Sequence, residues 1–129
     1  MKKFFLIVIA AFALTACHEN LDERAAREAQ EFTKKSCPME ISEGITIDSM
    51  TFDMKTQTVF YYYVLDGVLD TTLSEELQEK TKQMMLDGVR NTPSLKGYKD
   101  AGYNFRYVFR SHKDKKKVLL DYVFTKKDY

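Results

Sequence analysis

The 129-residue chain is poor in the residues from which most catalytic and metal sites are built. It has two histidines, His18 and His112, so a zinc site or a histidine-dependent triad has almost nothing to draw on. Its five glycines, Gly44, Gly67, Gly88, Gly97 and Gly102, are scattered and form neither a phosphate cradle nor a nucleophile elbow. The paired carboxylates Glu75-Glu76 fall at an expected helix start, where the helix dipole accounts for them. No catalytic residue, metal ligand or cofactor is therefore expected, and the chain reads as a non-enzyme. A formal charge of +1 excludes a dedicated nucleic-acid binder, whose footprint is strongly basic. Long apolar runs are also missing: Phe4 to Leu14 is uncharged, but a membrane-spanning helix needs about 20 such residues.

That short run has a different meaning in its context. Lys2 and Lys3 precede it, small Ala16 follows, and polar Glu19, Asn20 and Asp22 arrive at once. This is the layout of an export signal. Leu14-Thr15-Ala16-Cys17 resembles the lipobox of bacterial lipoproteins, in which the cysteine thiol is alkylated by a diacylglycerol and the signal is cut just before it. The resemblance implies a signal peptide over 1–16, a lipidated Cys17 that tethers the protein to a membrane, a tether over 17–19, and one domain over 20–129. Removing 16 residues from 129 leaves 113, enough for one domain and not for two. It also lowers Lys+Arg from 20 to 18 against 19 Asp+Glu, so the mature chain carries −1. If Cys17 is consumed as a thioether, Cys37 has no partner within the chain and reads as a small hydrophobe beside Pro38.

Along the domain, Asn20 with Glu23 marks a helix start. Leu21, Ala25, Ala29 and Phe32 then give it a narrow apolar stripe. Such a helix either lies on a sheet or forms a loosely docked stalk. Ser36-Cys37-Pro38 ends it. Met39, Ile41, Ile45 and Ile47 share one parity and Met50, Phe52 and Met54 the other, which requires a bulge near Asp48 or two short strands. Thr58–Leu65, Thr-Val-Phe-Tyr-Tyr-Tyr-Val-Leu, is apolar on both parities and reads as a central strand. Thr72 with Glu75 forms a capping box for a second helix to about Arg90, with Leu73, Leu77, Met84, Gly88 and Val89 at helical spacing and Thr81 filling the intervening turn. Tyr103, Phe105, Tyr107 and Phe109, then Val118, Leu120, Tyr122 and Phe124, alternate with period two and form a hairpin. The order α-β-β-α-β-β predicts an α+β two-layer domain with a four-stranded, mainly antiparallel sheet.

Two surfaces stand out. Phe60, Tyr62 and Val64, with Leu119 and Val123, form a second apolar face, covered by the first helix or left open for a partner. Lys113, Lys115, Lys116 and Lys117 form a basic turn within a C-terminal stretch, Tyr103–Tyr129, of eight basic and three acidic residues. The turn is a solvated loop or a contact for anionic headgroups held close by the short tether. Arg106, Arg110 and Asp121 share the outward parity of the hairpin, where Arg106 and Asp121 are expected to form a cross-strand charge pair, an anion site being the alternative.

The lipobox, Cys37-Pro38-Met39-Glu40-Ile41, Asp48-Ser49-Met50, the tyrosine-rich strand, and Asp100-Ala101-Gly102 leading into Phe105-Arg106-Tyr107 together resemble small lipoproteins common in Bacteroidetes-type bacteria. The resemblance spans most of the chain and brings no activity with it. The resulting expectation is a cell-envelope protein, lipid-anchored to the outer or inner membrane and facing the periplasm, with display on the cell surface as the alternative. It would bind an envelope protein or component through its aromatic sheet face. The alternative is a periplasmic inhibitor or immunity-type protein using the same face or the basic turn, with a small envelope enzyme as the third reading.

Overall fold

A computed structural model describes residues 19–129; the expected signal peptide, Cys17 and His18 lie outside the described residues. Helix α1 (Leu21–Ser36) starts at Asn20, whose side chain accepts the Glu23 N–H at 2.8 Å. It stops at Cys37, where the backbone turns extended before Pro38 (φ −96°, ψ 149°), as the crowding of a pre-proline residue demands. Only Ala25 and Ala29 of α1 are fully buried. Their small side chains bring the helix close to the sheet, with Leu21 and Phe32 packing beside them. The helix is therefore docked, not a stalk.

Five strands follow, not four: β1 (Met39–Ser42), β2 (Ile45–Asp53), β3 (Thr58–Leu65), β4 (Asn104–Ser111) and β5 (Val118–Phe124), in spatial order β1-β2-β3-β4-β5. Both devices anticipated for the change of parity occur. Glu43-Gly44 turns β1 into β2, and Gly44 takes φ +79°, a conformation that costs glycine nothing. The pairing then skips Asp48: Ile47 faces Tyr63 and Ser49 faces Tyr62. The extra residue returns Met50 and Phe52 to the core side.

The sheet is mixed. β3 and β4 run parallel, Val59 opposite Phe105 and Tyr61 opposite Tyr107. An antiparallel pairing would need the chain to leave β3 and return from the same end. Here the segment from Asp66 through α2 (Glu75–Asn91) and α3 (Lys96–Asp100) carries it back to the other end first, which is the crossover that parallel strands require. Helix α2 begins two residues later than its capping box suggested. Ser74, not Thr72, is the N-cap and accepts the Leu77 N–H, because Leu73 is buried in the core ahead of the helix.

The core lies between the sheet and the helices. Phe105, Phe109, Phe124, Tyr103 and Val89 are the largest fully buried side chains. Aromatic rings stack across the central pair, Tyr61 on Tyr107 at 4.6 Å and Tyr63 on Phe109 at 4.7 Å between centroids. Ala25 of α1 and Val89 of α2 join the same core cluster, so both helices cover one face of the sheet. The opposite face carries neither.

Candidate functional site

Two surfaces emerge from this arrangement. The first is a groove between α1 and α2 on the helical side. α1 packs on β2, and α2 is tied to β5, where Tyr122 Oη donates to the Gln78 carbonyl at 2.8 Å. Strand spacing of about 4.8 Å puts β2 and β5 roughly 14 Å apart, whereas close-packed helices sit about 8–10 Å apart. The helices therefore cannot close over β3 and β4, and a cavity of about 570 Å³ remains. Its floor includes Val59, Tyr63 and Tyr107, and its sides are Ala29, Phe32, Met85 and Gly88. The floor is buried, while Met39 (41%), Ile41 (46%) and Met84 (62%) stand exposed around it. Met84, expected in the core, is instead on the lip.

The end of the groove near the start of α1 is held by polar ties. Tyr98 Oη donates to Glu28 Oε2 at 2.6 Å, and Arg24 Nε donates to Glu28 Oε1 at 2.8 Å. Burial pushes the Glu28 carboxyl up, but these two donors outweigh it and hold the group below its ordinary value. Burial, reinforced by Glu28, drives the Tyr98 phenol upward. Tyr103 donates to Asp22, six residues earlier on α1. Burial raises Tyr63, on the groove floor, to about 12.

The second surface is the sheet's outer face. Phe60, Tyr62 and Val64 all lie on it, half-buried, and the Phe60 and Tyr62 rings stack at 5.8 Å. Val123 joins them at 47% exposure, beside Arg106 in the register. Leu119 does not: it occupies a bulge, since Phe109 faces Leu120 and Arg110 faces Val118, and it packs against the core. Arg106 donates from Nε and Nη2 to Asp121 at 2.9 and 2.6 Å. The pairing is diagonal, because Asp121 faces Val108 in the register. The Arg106 guanidinium also lies 5.7 Å from the Phe60 ring centre. At the far end of this face, Tyr62, Val64, Arg110 and Lys115 border a crevice of about 310 Å³.

Lys113, Lys115, Lys116 and Lys117 are exposed on an ordered turn. Asp70 accepts the Lys113 N–H at 2.9 Å, Asp114 accepts that of Lys116 at 3.1 Å, and the His112 N–H donates to Leu65 O at 3.0 Å. This turn follows the C-terminal ends of β3 and β4. The start of α1 lies at their N-terminal ends, where Gln57 and Tyr103 hold Asp22. The eight residues of β4 separate the two ends by about 23 Å at roughly 3.3 Å per residue. The start of α1 and the lysine turn are thus at opposite ends of the sheet.

Among the described residues Cys37 has no disulfide partner; it is half-buried against the core, its thiol pushed up by burial and by Asp48. Among the described residues no three metal-ligating side chains converge, and no helix is long and apolar enough to cross a membrane.

Comparison with known proteins returns a family and a shared fold. The chain belongs to the family described as Domain of unknown function (DUF8479), whose model matches residues 20–120. No protein of curated function matches it. Among solved structures it is similar to the pilotin AspS of the Vibrio cholerae type II secretion system, with TM-score 0.63 and 18% identity over 91% of this chain and 99% of that one. The pilotin EpsS of the Vibrio vulnificus type 2 secretion system gives 0.64 and 15%, over 84% and 90%. A secreted protein of Pseudomonas aeruginosa gives 0.64 and 14%, over 85% and 97%. At these identities the likeness is one of fold.

Proposed function

We propose that the protein is a non-enzymatic accessory module of the cell envelope, lipid-anchored through Cys17, that presents the outer face of its sheet to a partner protein. The observation that carries this reading is the placement of both helices on one face, which leaves Phe60, Tyr62, Val64 and Val123 uncovered on the other. A face with clustered aromatics and a bordering charge pair has the make-up of an interaction surface. Two type 2 secretion pilotins share the fold, which supports an accessory role in secretion over the inhibitor alternative.

The lysine turn fits the same surface. Lys115 borders the crevice that also includes Tyr62 and Arg110, so apolar and basic contacts are continuous. The turn sits about 23 Å from the tether end by the strand rise, so Lys113, Lys115, Lys116 and Lys117 meet an acidic region of the partner and not the bilayer of the anchor. Crosslinking pulldown from native membranes, comparing wild type with Tyr62→Glu, tests the face. Loss of one specific envelope protein is the expected result, and an unchanged partner list sinks the proposal. The anchor is tested separately: Cys17→Ser is expected in the soluble fraction, and a variant that stays membrane-bound and globomycin-sensitive would defeat the lipoprotein reading.

A further inference from the structure

The groove between α1 and α2 has no role in that reading. We infer that it receives one acyl chain of the protein's own lipid anchor; the inference rests on lipidation at Cys17. Three observations lead there.

The first is chemistry. The cavity of about 570 Å³ is lined mainly by apolar and aromatic side chains, with Thr92 and Ser94 as its hydroxyl residues apart from the tyrosines, and its one charged residue, Glu28, is already bonded to Tyr98 and Arg24. A ligand there needs no charge of its own. Methionines on its walls and lip, Met50, Met84 and Met85, are the side chains best able to remodel around a flexible chain.

The second is width. A helix is about 10 Å across with its side chains, and a trough open enough to admit one would leave its floor in solvent. Val59, Tyr63 and Tyr107 are instead buried, while Met39, Ile41 and Met84 on the rim are exposed. A floor closed to water beneath an open rim suits a single linear chain.

The third is reach. Leu21 begins α1 and lies beside Gly97, next to Tyr98 on the groove wall. The start of the helix and one end of the groove are therefore the same place. Cys17 is four residues from Leu21 in the sequence, at most about 14 Å of extended chain. Ala25, the first groove residue of α1, is about 6 Å further along the helix. No other lipid source is delivered to this opening by the chain itself.

The consequence is a two-state anchor. A diacylglycerol on Cys17 has two chains. With both in the bilayer the attachment is stable, whereas with one withdrawn a single chain holds far more weakly and reversibly, on the order of 10⁴ M⁻¹ for a myristoyl chain. The groove would convert a permanent anchor into a releasable one.

The test replaces Met85 by a diazirine analogue of methionine in the full chain, made in cells fed alkyne-tagged palmitate and irradiated in their own membranes. The expected product joins the peptide containing position 85 to the Cys17 lipopeptide within the mass of one chain. A diazirine at Val123, on the outer face, is expected to give at least tenfold less. Tagged Cys17 without this cross-link, or equal yield from Val123, overturns the inference while leaving the lipoprotein reading intact. A cross-link that adds the mass of a bilayer phospholipid or of another protein assigns the groove to that occupant and overturns it as well. Absence of tag on Cys17 removes both. Gly88→Leu is the second arm. Gly88 lines the groove and has open space where a Cβ would sit, so the variant is expected to fold. It should cut the cross-link at least tenfold and reduce release of the protein from washed membranes. An unchanged yield would count against the groove.

Discussion

The hydroxyl of Thr33 on α1 takes the place of a neighbouring strand for Met50 on β2. Thr33 Oγ1 accepts the Met50 N–H at 2.8 Å, and its proton bridges the Met50 and Ala29 carbonyls, each at 2.9 Å. β1 pairs with β2 only from Ile45 to Ile47, so beyond the Asp48 bulge the edge of β2 is bare. One side chain satisfies both main-chain groups there, and it fixes the end of a helix that buries only two alanines.

Thr33→Val, which keeps the shape and removes the hydroxyl, leaves two part-buried backbone groups without partners. A loss of about 1–3 kcal/mol follows from the cost of unsatisfied polar groups. Thr33→Ser is expected to lose less than half of that. Urea unfolding of the domain over 20–129 measures both, and a neutral Thr33→Val would show that the helix is held by packing alone.

How far this architecture can be read from sequence depends on whether a signal is local. Thr58–Leu65 and the terminal hairpin declare themselves because β-branched and aromatic residues alternate around a buried face. The parity change at Asp48 is equally legible, since a strand cannot switch faces without an extra residue. The pairing of β3 with β4 is not, because direction depends on where the intervening helix returns the chain. Thr72 has Glu75 three residues on and looks the better cap, yet burial of Leu73 overrides it. The groove is illegible in the sequence for a related reason: Leu77 and Met84 have core spacing, but they end at 38% and 62% exposure. Periodicity shows which residues share a helix face and cannot show that the opposing helix stops short. The adjacent Met84-Met85 pair and the alanine-only stripe of α1 were the available hints.

Gly44 and Gly102 form an internal comparison of backbone strain. Both have positive φ, +79° and +78°. A Cβ on Gly44 would meet the Asp66 carbonyl oxygen at 2.9 Å, whereas on Gly102 it would meet only the flexible Lys126 side chain at 3.6 Å. Gly44 O also accepts the Asp66 N–H at 2.9 Å, so the turn cannot back away without losing that bond. Gly44→Ala is expected to cost about 1–3 kcal/mol from φ strain plus the clash, and Gly102→Ala the strain alone. Equal losses in thermal unfolding would mean that the close approach carries no energy.

The Glu28–Tyr98 tie predicts how stability responds to acid. The folded pKa of Glu28 lies below its ordinary value of 4.5, so folding favours the carboxylate. Its contribution is fully present above about pH 4.5 and is lost as pH falls through the lowered value. Tyr98→Phe and Glu28→Gln should each flatten the acid limb of the stability curve below that pH, and together do little more than either alone. At the other extreme, Tyr63 is raised to about 12 by burial. Folding favours its neutral form, so stability falls as pH rises past the unfolded value of about 10. Denaturant midpoints across the pH range test both limbs, and an acid limb unmoved by Glu28→Gln would exclude the tie.

Arg106 and Asp121 give the opposite expectation, a well-formed pair of little consequence for stability. The geometry is bidentate at 2.9 and 2.6 Å, but the side chains are 39% and 35% exposed. Water already solvates both groups, and exposed pairs are typically worth about 0–1 kcal/mol. The guanidinium also shields the Phe60 ring, so its second effect is to cover apolar surface. Asp121→Asn should leave unfolding within about 0.5 kcal/mol of wild type, as for most surface changes. Arg106→Ala should expose Phe60 and change partner binding far more than folding. If the outer face is an interface, the two variants separate: Asp121→Asn frees the arginine and alters the salt dependence of capture, while Arg106→Ala alters its strength. Should both variants capture the partner as wild type does while folding normally, the charge pair and the Phe60 ring beneath it lie outside the interface, and contact must centre on Tyr62, Val64 and the lysine turn.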